Sequence, residues 1–310
     1  MRNLYSLVNH YAKRGNGMAD RPRFGPAGVP PFFRIIGAEL VNVPALLREE
    51  GLDAFEYQAA RWGQKPQMKQ QDAENLGVEA RKNDVLLSLH GSYFINLCGE
   101  KEIVEASKRR LIACATAAKW MGAYVVVFHT GFYGKADRKQ ALKNCVKALK
   151  DVVESMNTLG IRNVKLGPET MGRHFQLGTL EEVSAICQQV EQTQLVIDWS
   201  HLHARSGGAL RKAEDFRDVI VKAEESLGTE AVRNMHCHFS KIEFTYKSGE
   251  RRHHILDDAR YGPDFRMLAE VISKMGLHPV VICETPMLDV DATKMHSIFL
   301  EISKKEATVS

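Results

Sequence analysis

The chain has 310 residues, 44% of them hydrophobic and 26% charged, which fits one large α/β domain or two small ones. The formal net charge of +4 permits a polyanionic partner without requiring one. No apolar run is long enough to span a bilayer and no signal-peptide segment opens the sequence, so we expect no membrane association.

Neither the cysteines nor the N-terminal residues indicate a catalytic or metal-binding function. Six cysteines are spread along the chain without a CxxC pair, and we interpret them as reduced core thiols of a cytoplasmic protein. Residues 1–20 are polar and basic and end in Gly15-Asn16-Gly17, so we expect a flexible N-terminal extension. Residues 21–310 would then form the catalytic domain.

From Arg23 onward, short apolar segments alternate with longer amphipathic ones. We predict strands over 23–28, 54–58, 85–90, 124–129, 164–169, 194–198, 234–239 and 279–284. We predict helices over 43–50, 67–82, 102–121, 137–159, 179–190, 214–227, 264–275 and 291–304. The longest stretch without a regular pattern is 240–263, and a loop of this length is usually functional or mobile.

Eight strand–helix units predict an α/β protein with a single (β/α)8 TIM barrel. A doubly wound open sheet is the alternative, but no GxGxxG or phosphate-binding loop follows the first strand. In a barrel the C-terminal ends of all strands meet at one face, where the active site lies.

Histidine and carboxylate side chains recur at these strand ends. Such groups are ligands of zinc, manganese or iron(II), and their clustering without a cation would be costly. The sequence therefore predicts a metal site at the C-terminal face of the barrel. The strand-end residues are His90, His129, Glu169, Asp198, His236 and Glu284, with His201 and His253 just beyond strands six and seven.

The motifs around these residues resemble those of endonuclease IV, the metal-dependent apurinic/apyrimidinic endonucleases within the xylose-isomerase-like barrels. They follow the family's order along nearly the whole chain, and the opening Arg-Phe-Gly-Pro-Ala-Gly resembles the archaeal-type branch. The matching segments are His90-Gly-Ser-Tyr-Phe-Ile-Asn96, His129-Thr-Gly, Glu169-Thr, Asp198-Trp-Ser-His201, Met235-His236, Arg252-His253-His254 and Glu284-Thr.

The resemblance implies up to three metal sites. His90, His129 and Glu169 would form the first, and Glu169 would bridge to a second site. That second site would be completed by Asp198, His236 and Glu284. His238 shares a strand face with His236 and is expected to be a supporting or core residue.

The third implied site contains His201 and His253 and departs from the family pattern. Its usual aspartate, two residues before the final histidine, is replaced by Arg251, which cannot bind a metal. The site is then absent, weakly held, or completed by another group such as His254 or Asp257, and Arg251 could meet a phosphate directly.

The resemblance also implies contacts with DNA. Tyr93 follows the first ligand by three residues, where the family inserts a tyrosine at the lesion. The family fills the DNA stack with an arginine near strand two; that position holds Ala60 here, with Arg61 one place later. Arg251 and Arg252 are further candidates for binding the DNA backbone, with a solvated charged loop as the alternative.

The function implied is hydrolysis of the phosphodiester 5′ to an abasic site in double-stranded DNA by a monomer with two or three Zn²⁺ ions, or with Mn²⁺ or Fe²⁺ instead. Glu169, Glu284 and His201 would be the catalytic residues. One alternative is a single-metal sugar isomerase or epimerase of the same barrel superfamily, which needs only a Glu–Asp–His–Glu set. Another is a non-catalytic DNA-binding relative.

Overall fold

Eight short parallel strands curve around a common axis and are surrounded by helices. The structure is a computed structural model, and it describes residues 21–309. The barrel strands are β1 (Arg23–Pro26), β2 (Ala54–Gln58), β3 (Leu86–His90), β4 (Val125–Phe128), β5 (Lys165–Pro168), β6 (Val196–Asp198), β7 (His236–Phe239) and β10 (Val280–Cys283). Two further strands, β8 (Lys241–Thr245) and β9 (Gly249–His254), form a separate hairpin.

The helices lie between these strands, with one short 3-10 helix at Leu40–Asn42. They are α1 (Pro31–Ile35), α2 (Val43–Glu49), α3 (Gln70–Lys82), α4 (Lys101–Met121), α5 (Arg138–Thr158), α6 (Leu180–Gln189), α7 (Trp199–Arg205), α8 (Ala213–Leu227), α9 (Thr229–Arg233), α10 (Phe265–Lys274) and α11 (Asp289–Val309).

Two four-stranded parallel sheets close the barrel. One has the order β1-β10-β7-β6 and the other β2-β3-β4-β5. Single parallel bridges join their edges, from Ala27 to Glu56 on one side and from Glu169 to Val196 on the other. The predicted (β/α)8 barrel is therefore confirmed, and the open-sheet alternative is wrong.

Local sequence explains most element boundaries. The residues of β4 are all buried, as expected of a barrel strand covered on both faces. The side chain of Asp137 caps α5 by accepting the backbone N–H of Gln140. Thr179 and Glu182 form a reciprocal capping box at the start of α6. Such caps orient the helices that follow the strands carrying the site.

The segment 240–263, for which no regular structure was predicted, contains an antiparallel hairpin formed by β8 and β9. The helices α1, α7 and α9 are too short to give a periodic pattern, so they were also missed. The predicted flexible extension, residues 1–20, lies outside the described residues. Within 21–309, no helix combines the length and the apolar character needed to cross a bilayer.

Gly25 marks a tight contact between β1 and β2. A Cβ atom at this position would lie 1.7 Å from the carbonyl oxygen of Ala54, whereas at Gly63 the nearest atom would be 3.6 Å away. We expect Gly25→Ala to lower the free energy of unfolding by about 1–3 kcal/mol through overpacking. Gly63→Ala should change it by less than about 1 kcal/mol. Denaturant titration of both variants checks this, and equal stabilities would contradict it.

Candidate metal centre

The C-terminal ends of the strands bring the chemically active side chains together. His90 is the last residue of β3, His129 directly follows β4, and Glu169 directly follows β5. Asp198 ends β6 and caps α7, because its Oδ1 accepts the backbone N–H of His201 at 2.8 Å. Parallel closure of the barrel turns these separate sequence positions into one site.

The first cluster is the one predicted from the sequence. The Nε2 atoms of His90 and His129 lie 3.4 and 3.1 Å from Glu169 Oε2. Their ring centroids are 5.2 Å apart and nearly perpendicular. The three ligand atoms lie close enough together to hold one ion.

The second cluster contains Glu169, Asp198, Glu284 and His238. His238 Nδ1 lies 3.2 Å from Glu169 Oε1 and 3.4 Å from Glu284 Oε1. Glu169 therefore has one oxygen toward each cluster and can bridge two ions. Glu284 is the most exposed of the four, which places it toward the mouth of the barrel.

The assignment of His236 to the second site is corrected by this geometry. In the register of β7, His238 pairs with Asp198, whereas His236 pairs with Val196. Two residues along a strand correspond to roughly 6.6 Å, so His236 lies one layer deeper in the barrel. Both histidines point inward, and only the strand register distinguishes the ligand from its neighbour.

The third cluster contains His201, His253 and Glu250, a residue that the sequence reasoning did not consider. His201 Nε2 lies 3.4 Å from Glu250 Oε2. The rings of His201 and His253 are 5.7 Å apart and nearly perpendicular. Glu250 thus supplies the carboxylate that Arg251 cannot.

A β-bulge in the hairpin explains why Glu250, and not residue 251, contributes to the third cluster. Glu243 on β8 pairs with Arg252, whereas the next residue, Phe244, pairs with Glu250, so Arg251 is an extra residue in β9. An inserted residue shifts the alternation of side chains along a strand. Glu250 therefore shares a face with His253, although three positions separate them. No signal in the sequence alone indicated this bulge.

In two of the ligand histidines, His90 and His201, the second ring nitrogen has a partner that would fix its proton. His90 Nδ1 lies 3.0 Å from the carbonyl oxygen of Gly91, and His201 Nδ1 lies 2.9 Å from that of Thr170. A carbonyl oxygen only accepts, so each Nδ1 donates, and in the neutral ring Nε2 has a lone pair for a cation. This is the arrangement usual around metal-binding histidines.

Within the first and second clusters, two buried carboxylate oxygens are left without a hydrogen bond. Among residues 21–309, Glu169 Oε2 and Asp198 Oδ2 have no hydrogen-bonding partner although both side chains are fully buried. Such atoms are costly unless a cation compensates them. Together with the histidine lone pairs, they indicate that these residues fit divalent metal ions.

The charges of the site are strongly coupled. Burial raises the pKa of Glu169, but His238, His129 and the hydrogen bonds it accepts outweigh this and hold its pKa well below the usual value. Burial raises the pKa of Asp198 to about 6. Burial also lowers the pKa of three enclosed ligand imidazoles, but the surrounding carboxylates outweigh it. The pKa of His90 is raised to about 8, and those of His201 and His238 well above normal.

Two of the predicted DNA-binding residues lie at the rim of this mouth. Tyr93 is 54% exposed, and its ring centroid is 5.5 Å from those of His90 and His129. Its backbone N–H donates to the carbonyl of Ala60, so the loop after β3 is adjacent to the loop carrying the exposed Arg61.

The other two predicted DNA-binding residues, Arg251 and Arg252, are exposed on the hairpin. Both oppose Glu243 at the bulge, and Arg251 Nη1 donates to Glu243 Oε1 at 2.9 Å. They therefore share the hairpin face opposite to Glu250 and His253.

Comparison with known proteins places this chain in a family. The chain belongs to the xylose isomerase-like TIM barrel family, whose model matches residues 44–298. It is 32% identical over 283 residues to an uncharacterised protein of Methanocaldococcus jannaschii, covering 90% of this chain and 97% of that protein.

Solved structures share the fold at low identity. Endonuclease IV from Thermus thermophilus is 19% identical with a TM-score of 0.65, over 84% of this chain and 94% of that one. A D-tagatose 3-epimerase-like protein is 18% identical with a TM-score of 0.63, over 86% of this chain and 97% of that one. Both an endonuclease and an epimerase-like protein thus have this fold.

The bulge predicts which residue supports a third ion. We expect Glu250→Gln to lower the metal content from three ions per chain to two, because the third cluster loses its carboxylate. Arg251→Gln, the matched control next to it, should keep three. Elemental analysis after dialysis against metal-free buffer measures both. Equal metal content in the two variants would contradict the assignment.

Metal binding should depend steeply on pH. At pH 7, His90, with its pKa of about 8, and His201 and His238 carry a proton in the metal-free protein. A cation binds only the neutral imidazole, so it must displace these protons. Affinity should therefore rise as the pH increases through about 8. Calorimetry in buffers of different ionisation enthalpy measures the protons released, and binding without proton release would contradict this expectation.

Proposed function

We propose that this protein is a metal-dependent apurinic/apyrimidinic endonuclease, which hydrolyses the phosphodiester 5′ to abasic sites in double-stranded DNA. The observation that carries the proposal is the presence of three ligand clusters at one barrel mouth, two of which share Glu169. A single-metal reaction would leave the His90–His129 and His201–Glu250–His253 sets without a role.

The donor set suits Zn²⁺, with Mn²⁺ or Fe²⁺ as other candidates, because neutral imidazole and carboxylate are ligands common to all three. Bound cations would supply Lewis-acid stabilisation of the phosphate charge and lower the pKa of water. His90, His129 and Glu169 would hold one ion, and Glu169, Asp198, His238 and Glu284 another. His201, Glu250 and His253 would hold a third.

The chain's own residues have separate tasks in this proposal. Glu169 is ionised because its pKa is held low, and its two oxygens face different clusters. Glu284 lies nearer the mouth, so it can orient the attacking water and take up its proton. His201 lies between Glu169 and Glu250, and with Glu250 and His253 it would hold a cation that could stabilise charge on the leaving 3′ oxygen.

The rim provides groups for a DNA ligand. Tyr93 is exposed beside the first cluster and offers an aromatic face for a base next to the lesion. Arg61, Arg251 and Arg252 are exposed cations that would bind phosphates. A nucleotide must leave the base stack to reach ligands as buried as Glu169. The similar fold of endonuclease IV agrees with this use of the barrel.

A sugar epimerase or isomerase is the second candidate, favoured by one specific observation. The cluster of Glu169, Asp198, His238 and Glu284 is by itself sufficient for a single-metal enzyme. Glu169 and Glu284 would then exchange the substrate proton. A fold shared with a D-tagatose 3-epimerase-like protein agrees with this candidate. It predicts one ion per chain and proton exchange at a ketose, without nicking of DNA.

Substitution of the bridging carboxylate separates catalysis from binding. We expect Glu169→Gln to lower nicking of an abasic duplex by on the order of 10³-fold, because the stabilised charge is lost. Binding of the same duplex should remain measurable. The matched control is Glu191→Gln. Glu191 is an exposed carboxylate that precedes β6, at the end of the strand away from the site, so this variant should nick normally. Full nicking by Glu169→Gln would contradict the proposal, and ketose epimerisation by the unaltered protein would favour the second candidate.

A further inference from the structure

A second layer of polar side chains lies beneath the metal centre, inside the barrel. Glu56 on β2 is fully buried, as are Ser88 on β3 and His236 on β7, each with an exposed fraction of 1% or less. Tyr124, just before β4, is 9% exposed. None of these residues has a task in the proposed hydrolysis, and burying them is costly unless all their polar atoms are paired.

The carboxylate of Glu56 is the acceptor at the centre of this layer. Oε2 is 3.0 Å from Ser88 Oγ and 3.1 Å from His236 Nε2. Oε1 is 3.2 Å from Gln58 Nε2 and 3.2 Å from His238 Nε2. Four donors from β2, β3 and β7 therefore surround one buried negative charge, which keeps the carboxylate ionised.

The proton positions follow from which groups can donate a hydrogen bond and which can only accept one. An ionised carboxylate only accepts, so Nε2 of His236 and Nε2 of His238 both carry a proton directed at Glu56. With its proton on Nε2, the neutral ring of His236 has a lone pair on Nδ1, which accepts a hydrogen bond. The partner of that Nδ1 is the hydroxyl of Tyr124, at 2.5 Å, which donates to it.

We propose that Glu56 is a positioning residue of the metal centre: it fixes the proton of His238 on Nε2, so that Nδ1 is presented as a ligand to the cluster of Glu169 and Glu284. The inference rests on the metal centre of the proposed function but not on the nuclease reaction. Glu56 also adds a buried negative charge next to that centre, which strengthens cation binding.

The same atoms could instead be taken for a fourth metal site, since Glu56, His236 and His238 also lie within ligand distance of one another. A cation there would have to displace both Nε2 protons and turn His238 into an imidazolate between two ions. The hydrogen bonds already satisfy Glu56 without this cost. The proposal therefore predicts no ion in this layer.

The first test measures zinc affinity by competition with a chromophoric chelator. Glu56→Gln keeps the shape of the side chain, removes its charge and points an amide N–H toward other donors. We expect zinc affinity at the second cluster to fall about 10- to 100-fold. Glu182→Gln, which removes a part-buried carboxylate at the cap of α6, is the matched control and should bind zinc normally. Equal affinity in the two variants would overturn the proposal.

A second measurement does not depend on the variant folding well. Two-bond proton–nitrogen spectra of the zinc-loaded protein with labelled histidine report which ring nitrogen carries each proton. We expect His238 to carry its proton on Nε2 and to show a metal-bound Nδ1. The opposite assignment would overturn the proposal, and so would a fourth zinc ion per chain.

The outcomes separate this inference from the proposed function. If the unaltered protein binds zinc but does not nick DNA, the nuclease proposal fails and the role of Glu56 is still decided by the affinity and the spectra. If it binds no divalent metal, both fail together. If it nicks DNA and Glu56→Gln binds zinc as tightly as the control, only the role of Glu56 is overturned.

Discussion

Four imidazoles surround the carboxylate of Glu169, and the rest of the site depends on this arrangement. The nearest ring nitrogens of His90, His129, His201 and His238 lie between 3.1 and 3.4 Å from its two oxygens. In the absence of a cation, some of these rings must be protonated to balance the buried carboxylates. With cations bound, the same rings become neutral ligands. Only a few combinations of ring protonation and cation binding therefore balance the charges of these buried groups.

The barrel brings these groups together by simple means. His90, His129, Glu169, Asp198 and Glu284 each end a barrel strand or directly follow one, so closure of the sheet places them at one face. The hairpin of β8 and β9 then covers one side, and its bulge at Arg251 turns Glu250 toward His201. The loop after β5 contacts this hairpin, since the backbone N–H of Glu250 donates to the carbonyl of Gly172. An irregularity in one strand therefore places a carboxylate in the third cluster although position 251 holds an arginine.

Two layers of histidines and carboxylates are stacked along the barrel axis. The upper layer contains the three candidate metal clusters, and the lower layer contains Glu56, His236 and Tyr124. His238 belongs to both, because its Nδ1 faces the upper layer and its Nε2 the lower. A histidine shared in this way couples the hydrogen bonds of the barrel interior to the geometry of the site. This arrangement also explains why His236, although it points inward, is not available to the second cluster.

The amino-acid sequence by itself determined the barrel and most of the site. The alternation of apolar strands with capped amphipathic helices is a local property, and so is the occurrence of His90, His129, Glu169, Asp198 and Glu284 at strand ends. Site residues whose placement depends on how the strands align could not be predicted from such local patterns. The choice between His236 and His238 required the register of β7 against β6, and Glu250 required the bulge in β9. Register and bulges are set by hydrogen bonds between segments distant in sequence, so only the tertiary structure decided them.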